Sequence, residues 1–356
     1  MVGSYADAPI PSEYTVSQIS TEDSEEEGLV IYEIQEGATV NWTDNEDGDG
    51  KNQSTITLPG ETEVKNLQET VNQYVWIPVE INSMVMCESN NKLPEDEGNK
   101  ICNLVYNEET NTLACTNPAH LKTKTNLVGR LYTSSSVNTG NNIYKYEMDF
   151  TKRDQTYDTS GYHEPNTVSD DADNSLELSQ LKSDFTVMAK SVAKNGGFYI
   201  SRYEVGANGD SKKNQQVLTA HSSKGSNYLG ANKWYGLYNT LRENNRPMIW
   251  GCQYDQVIKF LKENGEDPEN GHSDRNLTIN HALSGQNESD EMKNIYDLEG
   301  NHWEWTAEAY STNFRATRGS NYSNAYNGDS YPASLRSYNF PTTGTSIYSS
   351  RSTLYL

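Results

Sequence analysis

Asn294-Ile-Tyr-Asp-Leu-Glu-Gly-Asn-His-Trp-Glu-Trp-Thr306 packs two tryptophans, a Gly-Asn pair and several carboxylates into one short stretch. In an extended segment, side chains alternate between faces. Trp303 and Trp305 therefore share one face and Glu304 takes the other. Gly300-Asn301 marks a turn, because both residues tolerate positive φ. The stretch reads as a tight turn delivering a strand whose two indoles enter a core. Arg318-Gly319-Ser320 follows, and Tyr- and Asn-rich sequence then leads to Ser349-Ser-Arg-Ser-Thr-Leu-Tyr-Leu356.

Upstream, Tyr74-Val-Trp-Ile-Pro-Val79 reads as a strand, with Pro78 placing it at an edge or bulge. Residues 176–193 read as a helix. Leu178, Leu181, Phe185, Met188, Ala189 and Val192 fall on one stripe at three- and four-residue spacing. Asn195-Gly196 ends it, and residues 198–205 read as a strand. Residues 234–243 and 254–262 read as shorter helices. A few helices on a loop-rich β scaffold define an α+β class.

The remaining regions divide by composition. Residues 1–28, with Glu22, Asp23 and the Glu25-Glu26-Glu27 run, read as a flexible acidic tail. Residues 29–72 read as a small β module with strands over 29–34, 38–42 and 54–58. Its turn, Asn45-Glu-Asp-Gly-Asp-Gly50, lacks the later bidentate Glu of an EF-hand loop and reads as a solvated hairpin tip. Residues 82–150 read as an inserted β subdomain with strands over 102–106 and 127–132. Residues 151–174 read as a polar loop.

The chain has 356 residues and a formal net charge of -22. That balance excludes a binder of nucleic-acid phosphates or of an anionic membrane surface, since both need basic surface. No apolar run reaches membrane-spanning length. No signal-peptide pattern opens the sequence, and an anchor or leader outside it is left open. Cys87, Cys102 and Cys115 lie in one region and Cys252 stands apart. Their spacing does not suit zinc. Outside the cytoplasm one disulfide among the first three is expected; buried free thiols are the alternative.

The quoted stretch resembles the hallmark of the formylglycine-generating-enzyme (sulfatase-modifying factor) family: Asn-x-Tyr-Asp-Leu-x-Gly-Asn-Val-Trp-Glu-Trp, then Arg-Gly-Gly, then a terminal Gly-Phe-Arg. His302 replaces the small apolar residue, and Ser320 replaces the second Gly. Arg351 matches the final Arg behind Ser349-Ser350. The blocks Tyr74–Val79, Gly196–Val205 and Trp250–Asp255 resemble the family's first strand, early strand and second-helix start. The resemblance implies a C-type-lectin-like domain over 73–356, carrying the 82–150 insertion and preceded by the β module.

The family's oxidation of a substrate cysteine uses a copper-holding cysteine pair after the Arg-Gly-Gly block, where soft thiolates select Cu(I). This sequence has no cysteine after Cys252. Formylglycine-generating activity, and enzymatic activity of that kind, is therefore not expected. The resemblance also implies calcium near the hallmark turn, held by the Glu304 side chain and carbonyls around Glu299, Gly300 and His302. The alternative has Glu304 bonded to the turn's own N–H groups.

Within the same fold the chain is similar to the variable proteins of diversity-generating retroelements. In these, the segment between Arg-Gly and the last strand is the diversified binding face. Here that segment holds Asn321, Tyr322, Asn324, Tyr326, Asn327, Tyr331, Tyr338, Asn339, Phe340 and Tyr348. Tyrosine offers contact area with a polar tip, and Asn adds adaptable hydrogen bonds. The implied function is a ligand-binding display protein at a bacterial cell surface, outside the cell or on a phage virion. Its partner would be a protein or a glycan on another cell. The competing expectations are an enzyme with a non-copper mechanism and a structural pilus or tail-fibre subunit.

Overall fold

The computed structural model describes residues 3–5, 7–44, 51–79, 85–87, 101–107, 109–110, 112–115, 149–151, 178–221, 231–268, 282–309, 314–322 and 331–356. The strands that position the site are β1 (Tyr14–Val16), β2 (Val30–Glu33), β3 (Gln73–Pro78), β4 (Gly197–Ser201), β5 (Trp303–Ala309), β6 (Arg315–Arg318), β7 (Arg336–Asn339), β8 (Tyr348–Ser350) and β9 (Thr353–Leu354). The helices are α1 (Leu178–Asn195), α2 (Lys233–Glu243) and α3 (Gly251–Glu263). Mixed sheets with few helices make an α+β fold.

The first sheet has five antiparallel strands in the order β9-β4-β3-β2-β1. Alternation along β3 feeds two cores. Val75 and Ile77 point into the main core with Phe185, Met188 and Val192 of α1 and Val257 and Leu261 of α3. Tyr74 and Trp76 point to the other face, where Ala8, Ile10, Leu29, Ile31 and Tyr199 enclose them. Both faces are covered, so β3 is central rather than an edge strand, and Pro78 is tolerated because it closes the strand. Gly197 opposite Pro78 is required by space: a Cβ there would lie 2.5 Å from Ile77 O and from the Trp76 ring.

The second sheet runs β7-β6-β5-β8, with β5 and β8 parallel and the other pairs antiparallel. The chain passes from β8 in this sheet to β9 in the first through Arg351-Ser352, so Arg351 sits at the crossing of the two sheets.

The structure corrects three readings of the sequence. Residues 1–28 are not a flexible tail. A short hairpin pairs Gly3–Tyr5 with Ala8–Ile10, β1 extends the first sheet, and Glu22 is buried. The acidic run is solvated, but the apolar residues between the charges are needed to cover the second face of the sheet. The boundary at residue 29 also shifts. β2 belongs to the first sheet, and only Thr39–Asn41, Thr55–Thr57 and Lys65–Asn66 form a separate three-stranded sheet. Thirdly, the strand of residues 198–205 stops at Ser201, and the chain then bends through Arg202.

In the inserted region Val85–Cys87, Ile101–Asn107, Thr112–Cys115 and Asp149–Thr151 form their own four-stranded sheet. The turn at 45–50, the strand at 127–132, the loop after 151 and the Cys87, Cys102 and Cys115 side chains lie outside the described residues. No described helix is long and apolar enough to cross a membrane.

Candidate functional site

The hallmark stretch folds as a chain of turns before β5. Asn294, Asp297 and Asn301 all take positive φ, which Asn and Asp tolerate through local hydrogen bonding. Asn294 shows why the N-terminal segment is held. Its Nδ2 donates to Thr21 O at 2.7 Å, Glu27 O at 2.9 Å and Gly28 O at 3.0 Å, while its Oδ1 accepts from Arg202 Nη2 at 3.0 Å. Arg202 in turn donates to Glu22 Oε1 at 2.7 Å. One side chain of the hallmark thus fastens the first thirty or so residues (~30) to the first sheet through bonds that a solvated tail would lack.

Trp305 is fully buried and Trp303 half-buried against the main core. Glu304, on the opposite face from the two indoles, is also fully buried. Arg351 explains this. Its Nε donates to Glu304 Oε1 at 2.5 Å, Nη1 donates to Ser201 O at 3.2 Å and Arg202 O at 3.3 Å, and Nη2 donates to Tyr296 O. Behind it, Glu204 accepts from the His302 amide at 3.0 Å and from Asn301 Nδ2 at 2.6 Å, with His302 Nδ1 3.0 Å away. Burial pushes Glu304 up to about 8 against the pull of Arg351, and raises Glu204 and Asp297 as well. Burial pushes His302 down to about 4, so the imidazole is neutral near pH 7.

Glu304 is bonded to Arg351 and not to the turn's own N–H groups. One oxygen of Glu304 is committed to Arg351, whose charge already occupies the centre of the cluster. A divalent ion there would face a guanidinium with no water to screen it. Among the described residues no three His, Cys, Asp or Glu side chains converge as metal ligands. Cys252 is fully buried and burial raises its thiol well above the ordinary range, so it is a packing residue rather than a nucleophile.

The Tyr- and Asn-rich segment separates into framework and surface. Arg318 donates to Asp255 Oδ1 at 2.9 Å in the core, and Arg336 pairs with Glu308 at 2.7 Å. Gly319 takes φ +70°, and a Cβ there would meet Leu298 O at 2.4 Å, so β6 ends against the hallmark turns. Asn321 is buried, which removes it from an exposed face. Tyr348 is buried too: its ring lies 4.9 Å from Trp305. Asn339 donates to the Tyr348 hydroxyl at 2.6 Å and accepts from the Phe340 amide at 2.8 Å, so it shapes the turn after β7. Tyr322 is half-buried edge-on to His302, and Tyr331 is half-buried near Trp303. Asn324, Tyr326 and Asn327 lie outside the described residues.

Tyr338 and Phe340 are 47% and 50% exposed. Phe314, which sequence reasoning passed over, joins them: its ring centroid is 4.7 Å from Tyr338 and 4.4 Å from Phe340. The signal for Phe314 was its position directly before a strand paired in register with the Tyr338 strand. Together these rings form an aromatic ridge at β7, an outer strand of the second sheet, with Phe340 just after that strand and Phe314 just before β6.

No protein family model matches the chain, and no curated protein matches it. Among solved structures it is similar to the Major Tropism Determinant I1 variant, with 14% identity over 45% of this chain and 50% of that one, at a TM-score of 0.33. It is likewise similar to the Major Tropism Determinant U1 variant, with 15% identity over 45% of this chain and 52% of that one, at a TM-score of 0.32. The chain thus spans about half the length of these structures. At such scores the likeness assigns neither fold family nor activity.

Proposed function

We propose that this chain is a ligand-binding display protein on a bacterial or phage surface, built on a C-type-lectin-like scaffold. The aromatic ridge of Phe314, Tyr338 and Phe340 supports the reading most. Large rings packed on one another yet half open to solvent, at an outer strand of a rigid sheet, have the composition and placement of an interface anchor. Tyr322, Tyr331 and the segment through 324–327 flank that ridge in sequence. Asn339 braces the turn beside it, donating to the Tyr348 hydroxyl and accepting from the Phe340 amide. Aromatic anchors of this kind favour a protein on the partner cell, with a glycan as the second outcome.

Binding rather than catalysis is supported by the sequence, which offers no cysteine where the resembling enzymes need a pair. The experiment is adhesion. Fluorescently labelled protein should bind a subset of bacterial strains in a saturable manner, and unlabelled protein should compete. Binding to no strain, or equal binding to all, would overturn the reading. A second, near-identical copy of the 321–348 coding segment beside a reverse-transcriptase gene would tie the ridge to diversification.

A further inference from the structure

A cavity of about 510 Å³ lies away from the aromatic ridge and shares no residue with it. Its wall comes from five places in the chain: Glu22 and Glu27 of the N-terminal segment, Lys51 to Gln53 and Gln68 of the small β region, Arg202 and Lys213 after β4, Glu266 after α3, and residues 288–296 running into the hallmark turns. The volume falls within the usual range for small-molecule sites.

The electrostatics of the wall select the ligand class. Every cation of the wall is already paired with a carboxylate of the same wall. Lys51 lies 2.8 Å from Glu288, Lys213 3.5 Å from Glu288, Lys293 2.9 Å from Glu27, and Arg202 2.7 Å from Glu22. A phosphate or carboxylate entering here would have to break one of these pairs. It would also meet an excess of glutamate, because Glu266 and Glu291 line the same space. An ammonium ligand would compete with lysines already in place. A neutral molecule with many hydroxyls disturbs none of them. Each hydroxyl both donates and accepts, so it can bridge the paired ions without desolvating a lone charge.

The wall also offers neutral groups for such a molecule. Gln68 is 5% exposed, and among the described residues its side-chain amide makes no hydrogen bond, although it lines the cavity. Its amide therefore opens onto the cavity, where a ligand can both donate to it and accept from it. Gln53, at the exposed rim, likewise makes no side-chain hydrogen bond among the described residues. These donors and acceptors line one polar cavity.

We propose that this cavity is a binding site for a neutral saccharide, one or two rings in size, held chiefly by the Gln68 and Gln53 amides and by the paired charges around them. The site stands independently of the aromatic ridge.

The test is saturation-transfer difference NMR on the full chain. The probes are glucose, galactose, mannose, N-acetylglucosamine and maltose, with glucuronate and glucosamine as charged counterparts. At least one neutral sugar should show transfer and bind more tightly than its charged counterparts. Gln68→Leu and Gln53→Ala should each weaken that binding roughly fivefold or more, the effect of one lost hydrogen bond. If Gln68→Leu fails to fold, Gln53→Ala at the rim carries the readout. The Tyr338→Ala, Phe340→Ala double variant should bind the sugar normally. Absence of transfer from every neutral sugar, equal or tighter binding of the charged sugars, unchanged binding in a folded glutamine variant, or loss in the ridge variant would each overturn the proposal.

Discussion

Two parts of the second sheet draw on the same residue types and do opposite things with them. At the β5–β8 side, Tyr348, Glu304 and Arg351 are buried, bonded and surrounded by core. At the β7 side, one strand beyond β6, Tyr338 and Phe340 stand half in solvent. The difference is what lies against each strand. β8 is an outer strand like β7, but its Tyr348 packs on Trp305 in the core, and the polar groups beside it pair within the protein. Tyr338 of β7 and Phe340 just beyond it pack on the Phe314 ring instead and stay available to solvent. A tyrosine in this chain is framework or surface according to the strand that carries it, not according to the composition around it.

The largest break in this comparison comes from the N-terminal segment. Deleting residues 1–28 should prevent folding, because it uncovers Trp76, Tyr74 and Tyr199 and leaves Arg202 without Glu22. The readout is far-UV circular dichroism and a thermal melt. A truncated chain that melts like the full one would mean the segment is a tail after all.

Next in size is the crossing between the sheets. Arg351→Ala should cost about 3–5 kcal/mol in denaturant unfolding, because it leaves buried Glu304 and the Ser201, Arg202 and Tyr296 carbonyls without their donor. A loss no larger than that of an exposed surface substitution would remove Arg351 from the framework.

The pH dependence follows from the same cluster. Glu304 is raised to about 8 and Asp255 to about 7, both chiefly by burial. An acid raised in the folded state holds its proton more tightly there than in the unfolded chain. Its contribution is full below the ordinary carboxylate range and is lost as pH rises through the folded value. His302, lowered to about 4, acts the other way, and its contribution is lost as pH falls from its ordinary value toward 4. Above about pH 6.5 only the carboxylates still act, so the melting temperature should fall between about pH 6.5 and 8.5. Glu304→Gln should flatten that slope. A melting temperature that rises over this window would contradict the burial assigned to these groups.

The smallest effect is that of calcium. Adding calcium, or removing it with EDTA, should leave the melting temperature unchanged, since Arg351 fills the charge demand of Glu304. A calcium-dependent rise would show that the ion displaces the guanidinium.

How much of this was legible in the sequence depends on the kind of signal. The α1 stripe, the alternation in β3 and the Trp-Glu-Trp strand were legible because packing periodicity is local. The fate of residues 1–28 was not. Charge runs look solvated in one dimension, while the partner that buries Glu22 is Arg202, far along the chain. Alternation put Glu304 on the face opposite the two indoles but could not say that this face is covered, because it reports which residues share a face and not what lies against them. Asn321 and Tyr348 failed as surface residues for the same reason, and Phe314 was missed because its ring partners, Tyr338 and Phe340, lie far along the chain and meet it only through strand pairing.

The central claim is that the ridge binds while the framework folds, and one variant separates the two. Tyr338→Ala with Phe340→Ala should leave stability within about 1 kcal/mol of the parent, as expected for half-exposed positions. The same protein, applied to the strain that binds the parent most tightly, should lose adhesion. Retained adhesion in the folded double variant would contradict the claim and place the ligand elsewhere on the molecule.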